Sequence, residues 1–282
     1  ALKQANGQTF EGWAIYFPTQ DLVDQFLVTD EETGKAMPWY ETSQYKNNVT
    51  VLDPSSITEA GQVDAYKQVN GDARRIPTPQ DLKQLNKSYP TFTRYHQLNK
   101  GADRDLSELM YSGRDRRFYT AIVYDKCSWI GETVELNLGG NLSAGVRDKE
   151  DGGWYNTTTG YYWRKGNIEN PTPRAYHNCQ VALHFNIVRL GEAYMNLAEA
   201  YLLKHDVPNA VKALNMTRTI HGGLSESTAA TEEEAWTDYI RERNCELTNE
   251  GGDIYYSYLR WGKYGGYANH GRDAGDIIYD LD

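Results

Sequence analysis

Between Asn186 and Gly262 the chain carries four consecutive helical patterns joined by very short connections, and this run limits the fold more than any other stretch. In the first, Ile187, Leu190, Tyr194, Leu197, Ala198 and Tyr201 recur at the 3-4-3 spacing that gathers apolar side chains on one stripe, predicting the buried face. Asp206 is placed to cap a second helix with Pro208 in its first turn, where a missing N–H costs little. That helix continues through Ala210, Val211, Leu214, Thr217 and Ile220, and Gly222-Gly223 ends it with residues that tolerate left-handed backbone. The third begins at a capping box, Thr231 with Glu234 three residues on, and places Trp236, Tyr239, Ile240, Arg243 and Leu247 inward. An arginine on that stripe must meet a carboxylate, because burying it alone is costly; Glu246 and Glu250 are the local candidates. Asn249 to Gly252 breaks this helix ahead of an aromatic-rich fourth, Asp253 to Tyr264.

The phrases RLGEAYMNLAEAY, ALNMTRTIHGG, IRERNCELTNEGG and YLRWGKY stand in this order from Arg189 to Tyr264. Together they resemble the C-terminal half of SusD/RagB family proteins. One such fragment is ordinary helix sequence; four in order at natural spacing are specific. PTQDLVDQF from Pro18, RDRRFYTAI from Arg114 and TGYYWRK from Thr159 are similar to further family passages. The chain departs from the family at Gly252-Asp253-Ile254, where members commonly place an arginine. The resemblance implies a mainly α fold: tetratricopeptide-like helix pairs in a superhelix, with long irregular loops and a few short strands. It makes residues 1–282 a single domain that forms the C-terminal portion of a longer protein, an expectation strengthened by a start at Ala1 with no signal peptide or lipidation cysteine.

Composition narrows the chemistry. Of 282 residues, 39% are hydrophobic and 24% charged, as in ordinary globular proteins, but seven are Trp and 22 are Tyr. With a mean hydropathy of −0.72, many rings must sit among polar residues. A net charge of −10 leaves no basic surface to exchange for phosphate counterions, which argues against nucleic acid. No run of 18 apolar residues is present to span a bilayer. Cys127, Cys179 and Cys245 are far apart and form no C-x-x-C pair, so neither zinc nor a disulfide framework is signalled, and all three read as buried free thiols.

Ahead of the helical run, Thr19 caps a short helix that turns Leu22, Val23, Phe26 and Leu27 inward. Residues 31–50 show little periodicity and read as a loop carrying Trp39, Tyr40 and Tyr45. A helix is expected from Pro79 to about Asn99, and a strand or buried extended segment around Phe118 to Val123. Arg114, Asp115, Arg116 and Arg117 read as an ionic scaffold around a helix terminus. Residues 139–160 form a second long loop, rich in Gly, Asn and Thr, with Trp154 and Tyr155 outside the family-like TGYYWRK phrase.

No G-x-S-x-G, H-E-x-x-H, G-x-G-x-x-G or P-loop occurs, and the six histidines are isolated, so no nucleophile, acid or base is indicated. A glycosidase carboxylate pair stays open as an alternative, with nothing to say which two residues form it. Sugars present C–H faces that stack on Trp and Tyr rings, and hydroxyls that need amide partners. Trp39, Tyr40, Tyr45, Trp154 and Tyr155 are therefore the candidate stacking residues, with Asn47, Asn48 and Asn156 as hydroxyl partners. The resemblance implies the same: surface lipoproteins that capture oligosaccharides, or in some members peptides, over a SusC-like TonB-dependent outer-membrane transporter. It implies no catalysis and no cofactor, and membrane attachment only through an N-terminal lipid anchor. A helical adaptor for a protein partner is a further alternative. Arg189, Glu192, Glu199, Arg243, Glu246 and Arg260 read as ions that hold the fold.

Overall fold

The computed structural model describes residues 16–52, 95–129, 131–136, 157, 159–167 and 187–261. In chain order these form α1 (Gln20–Gln25), β1 (Val28–Thr29), β2 (Ala36–Met37), a 3-10 turn (Trp39–Glu41), α2 (Ser43–Asn48), β3 (Val49–Leu52) and β4 (Tyr95–Leu98). Next come α3 (Leu106–Tyr111), α4 (Arg116–Ala121), β5 (Ile122–Val123), β6 (Ser128–Trp129), β7 (Glu132–Thr133) and β8 (Tyr162–Trp163). Four helices follow: α5 (Leu190–Leu202), α6 (Val207–Ile220), α7 (Glu232–Glu246) and α8 (Asp253–Arg260). Strands pair two at a time and antiparallel, β1 with β2, β3 with β4, β5 with β8 and β6 with β7. The fold is mainly helical, and the strands serve as clips on its connections.

Local chemistry starts and stops the long helices where the sequence placed those signals. The Asp206 carboxylate accepts from the Asn209 amide at 3.3 Å with a proline in the first turn. Both halves of the Thr231–Glu234 capping box are formed. Gly223, at φ +67°, ends α6, and the Leu224 amide reaches back to the Arg218 carbonyl. Met195, Ala198 and Leu202 of α5, Ala210, Ala213 and Leu214 of α6, and Trp236, Tyr239 and Ile240 of α7 make one core that Trp261 closes.

The face of α5 differs from the expected stripe. Ile187, Leu190 and Leu197 are 85%, 70% and 43% exposed, whereas Gly191, Met195, Ala198, Glu199 and Leu202 are buried. Packing distance is the reason. A Cβ on Gly191 would lie 2.2 Å from Glu246 Oε1, so the closest contact selects small and ionic residues, and the greasier stripe lies beside it. Ile220 of α6 is also exposed, at 61%.

Three expectations from the first half of the chain are corrected. Residues 31–50 are no irregular loop but β2, a 3-10 turn and α2 in quick succession, each too short to show periodicity, with α2 started by the Thr42 side chain. The end of the helix expected over 79–99 is strand β4, registered against β3 from Val49↔Leu98 to Leu52↔Tyr95; residues 79–94 lie outside the described residues. Phe118 belongs to helix α4, with extended backbone beginning only at Ile122. Cys127 and Cys245 are buried free thiols, as expected, and Cys179 lies outside the described residues.

Candidate functional site

The segment that carries the first aromatic candidates is pinned by side chains from both flanks. Asp30, itself buried, accepts from the Thr33 amide and hydroxyl (2.8 and 2.7 Å) and from the Ser43 amide (2.5 Å). Hydrogen bonds from Ser43 and then Thr33 hold its carboxyl well below the usual range. Gln44 bridges the same corner, donating to the Thr29 carbonyl and accepting from the Glu31 amide. The Thr42 hydroxyl donates to the Trp39 carbonyl and accepts from the Tyr45 amide, joining the 3-10 turn to α2.

Within this unit Trp39 and Tyr45 are 5% and 3% exposed, and their rings meet edge to face at 5.1 Å. The Trp39 indole N–H donates to Asp24 Oδ1 of α1 at 2.8 Å, and burial raises the Asp24 carboxyl against that hydrogen bond and one from Gln20. These two rings are thus a floor that keeps its faces inside the core. Tyr40 is half-buried against Trp39, Asn48 is half-buried with its amide on the Gln44 carbonyl, and Asn47 is exposed beside Glu32. The structure brings these five candidates together; Trp154, Tyr155 and Asn156 lie outside the described residues. Sequence reading missed Asp24 and Asp30. Asp30 carried a signal, an Asp followed by Thr three residues on at a turn.

Elsewhere an ionic frame joins the elements. Asp115 caps α4 and holds Arg117, whose guanidinium also reaches Glu242 and Glu246 (2.9 Å to the latter) of α7, all four groups buried. Glu246 takes Arg189 as well, and His221 Nδ1 lies 2.8 Å from Oε1. Glu250 receives Arg189 (2.7 Å) and Lys165 (2.5 Å). The Arg–Asp scaffold expected at 114–117 is present, threaded close enough that a Cβ on Gly222 would meet Arg117 Nη2 at 2.9 Å.

Arg243 corrects the expectation of Glu246 or Glu250: its partner is Asp253, at 2.5 and 2.9 Å. Gly251 and Gly252, both at positive φ, fold α8 back so that Asp253 lies over Arg243, while Glu246 and Glu250 face Arg189. Glu199 takes Arg260 through two 2.8 Å bonds, the Trp261 indole at 3.0 Å and the Tyr239 hydroxyl. Five of the six expected fold-holding ions sit in these networks; Glu192 enters neither.

This frame gives a pH dependence with a definite sign. Burial would raise Glu246, but hydrogen bonds from Arg189 and Arg117 outweigh it and bring its carboxyl down to about 2; Glu199 and Glu250 are lowered for the same kind of reason. A depressed carboxylate stabilises the fold fully above its unfolded value of about 4.3 and loses that contribution as pH falls through the folded value. The unfolding temperature is therefore expected to be nearly flat above about pH 5.5 and to fall steeply between about pH 4.5 and 2. A scan by circular dichroism that stays flat to pH 3 would contradict this.

Among the described residues no three His, Cys, Asp or Glu are grouped to hold a metal ion, and no helix is long and apolar enough to cross a membrane. A model of the SusD family matches residues 2–280. No curated protein matches the chain. Among solved structures, a SusD-like protein of Bacteroides fragilis NCTC 9343 (BF3747) superposes with a TM-score of 0.54 at 24% identity, covering 91% of this chain and 38% of its own. BT4246 superposes at 0.53 with 16% identity, over 94% of this chain and 38% of its own. A SusD-like carbohydrate-binding protein of the same B. fragilis strain (BF0978) reaches 0.47 at 17% identity, over 89% and 36%, too low to carry an argument. The chain thus spans less than two-fifths of the length of these structures.

Proposed function

Because this chain belongs to the SusD family, we propose that it captures oligosaccharides at the bacterial outer-membrane surface and passes them, uncleaved, to a SusC-like TonB-dependent transporter. The family match over residues 2–280 carries this reading, and the helix pairs with short strand clips are the tetratricopeptide-like fold it calls for. Attachment is by an N-terminal lipid anchor. The acidic surface disfavours anionic ligands, and the load of Trp and Tyr favours neutral ones with exposed C–H faces.

The proposed site is built from the eight residues of the two aromatic segments. Tyr40, Asn47 and Asn48 supply the accessible part of the first, with Trp39 and Tyr45 supporting them from below; Trp154, Tyr155 and Asn156 supply the second. A ring stacked on a sugar is worth about 1 kcal/mol beyond its area, so losing one on each segment is expected to weaken binding at least tenfold. Tyr40→Ala combined with Trp154→Ala, titrated calorimetrically with the tightest-binding sugar, checks this. Unchanged affinity in a folded double variant would move the site elsewhere.

A further inference from the structure

We infer that one water molecule is held inside the protein where α1, α7 and α8 meet, bridging the side chains of Asn244 and Thr248. Asn244 is 1% and Thr248 0% exposed, yet Asn244 Oδ1 and Thr248 Oγ1 find no hydrogen-bond partner within the chain. A buried polar atom left unpaired carries the full loss of its hydration, and folded proteins relieve that with a protein group or an ordered water. Two such atoms at one helix end point to a shared partner.

Helix geometry brings them together. The Leu247 amide still donates to the Arg243 carbonyl at 2.9 Å, so the helical turn runs to the very end of α7, and Thr248 follows it. Residues four apart on such a turn stand one above the other on the same flank, with Cβ atoms about 5–6 Å apart. One water spans that separation with a hydrogen bond at each side. Asn244 is meanwhile fixed from two other elements: its Nδ2 donates to Gln25 Oε1 of α1 at 2.6 Å and to the Tyr258 hydroxyl of α8 at 3.2 Å. Turning the amide over would give its oxygen to those partners and leave the nitrogen facing Thr248, so either orientation leaves one Asn244 atom for the water. Two bonds, to Asn244 and to Thr248, lie within the range that buried waters make. The water thereby joins the residue after α7 to the junction of Gln25, Asn244 and Tyr258.

Crystallography of the full chain to about 1.8 Å tests this, with density and partner distance together identifying the water. The parent is expected to show one peak about 2.7–3.2 Å from both Thr248 Oγ1 and the facing Asn244 atom. Thr248→Ser keeps the hydroxyl and is expected to keep the peak. Thr248→Val has the same shape without the hydroxyl, and the peak is expected to be lost or to leave its place between the two residues. A parent without the peak, or one in which the Thr248 hydroxyl bonds Asn244 directly, would overturn the inference whatever the variants do. A peak undisturbed in Thr248→Val would overturn it as well, because Thr248 would then not be holding the water. Should Thr248→Val fail to fold, the parent and Thr248→Ser still decide: a peak in both supports the bridge, and its loss from Thr248→Ser contradicts it.

Discussion

Arg117→Met is expected to lower the free energy of unfolding by about 3–5 kcal/mol, a large share of the roughly 5–15 kcal/mol that holds an ordinary domain. The arginine is the shared partner of Asp115, Glu242 and Glu246, each at most 3% exposed in its side chain. Removing it leaves three carboxylates buried close together, so the loss comes less from missing attraction than from uncompensated charge. Arg189 still neutralises part of Glu246, and this keeps the effect below the sum of three broken pairs. Urea denaturation of the two proteins measures the difference, and a loss below about 1 kcal/mol would show that water already screens the cluster. Because the network ties α4 to α7 and α5, the loss should appear in the cooperative transition itself.

Arg114→Leu is the second large effect, about 3 kcal/mol, and its cause is different. This arginine is 4% exposed, and its hydrogen bonds run to carbonyl oxygens: Nη1 to Val23 (2.6 Å) and Phe26 (2.7 Å), Nε to Met110. Those carbonyls lie at the C-terminal ends of α1 and α3, where helices leave acceptors without partners and favour positive charge. The guanidinium also stands 5.0 Å from the centroid of the Phe118 ring. Burial lowers its pKa, yet the three carbonyls give the charge somewhere to rest. Leucine fills much of the space and takes the donor away from the Phe26 and Met110 carbonyls, while the Val23 carbonyl keeps only the Phe26 amide. Arg114→Lys, with one ammonium in place of a fork, is expected to recover less than half of the loss. Equal stability of parent and Arg114→Leu in thermal and urea unfolding would contradict this account.

The C-terminal helices were legible because their boundaries are written in local chemistry: the Asp206 cap, the Thr231–Glu234 box and the Gly223 stop act over one turn. Facing was less legible. The stripe through Leu190 and Leu197 is the more hydrophobic side of α5, but the helices meet at Gly191 and Ala198, where small size decides. Partner choice among ions was hidden for a related reason: Arg243 meets Asp253 only because two glycines reverse the chain, a tertiary outcome that spacing along α7 does not encode. Residues 31–50 read as a loop because their elements are shorter than any period; Thr42 and Asp30 carried the order. The same capping that organises this segment takes Trp39 and Tyr45 inside, so ring content there signalled a site while burial assigns those rings to its floor.

Calorimetric titration of the folded chain with neutral oligosaccharides of plant, host and microbial type, with the mixtures then resolved by chromatography, tests the central claim most directly. The account predicts saturable binding of at least one class with every sugar recovered intact. Release of shorter products would contradict it and make the protein a hydrolase; no binding to any class, with saturable binding to a peptide panel, would contradict it in favour of peptide capture.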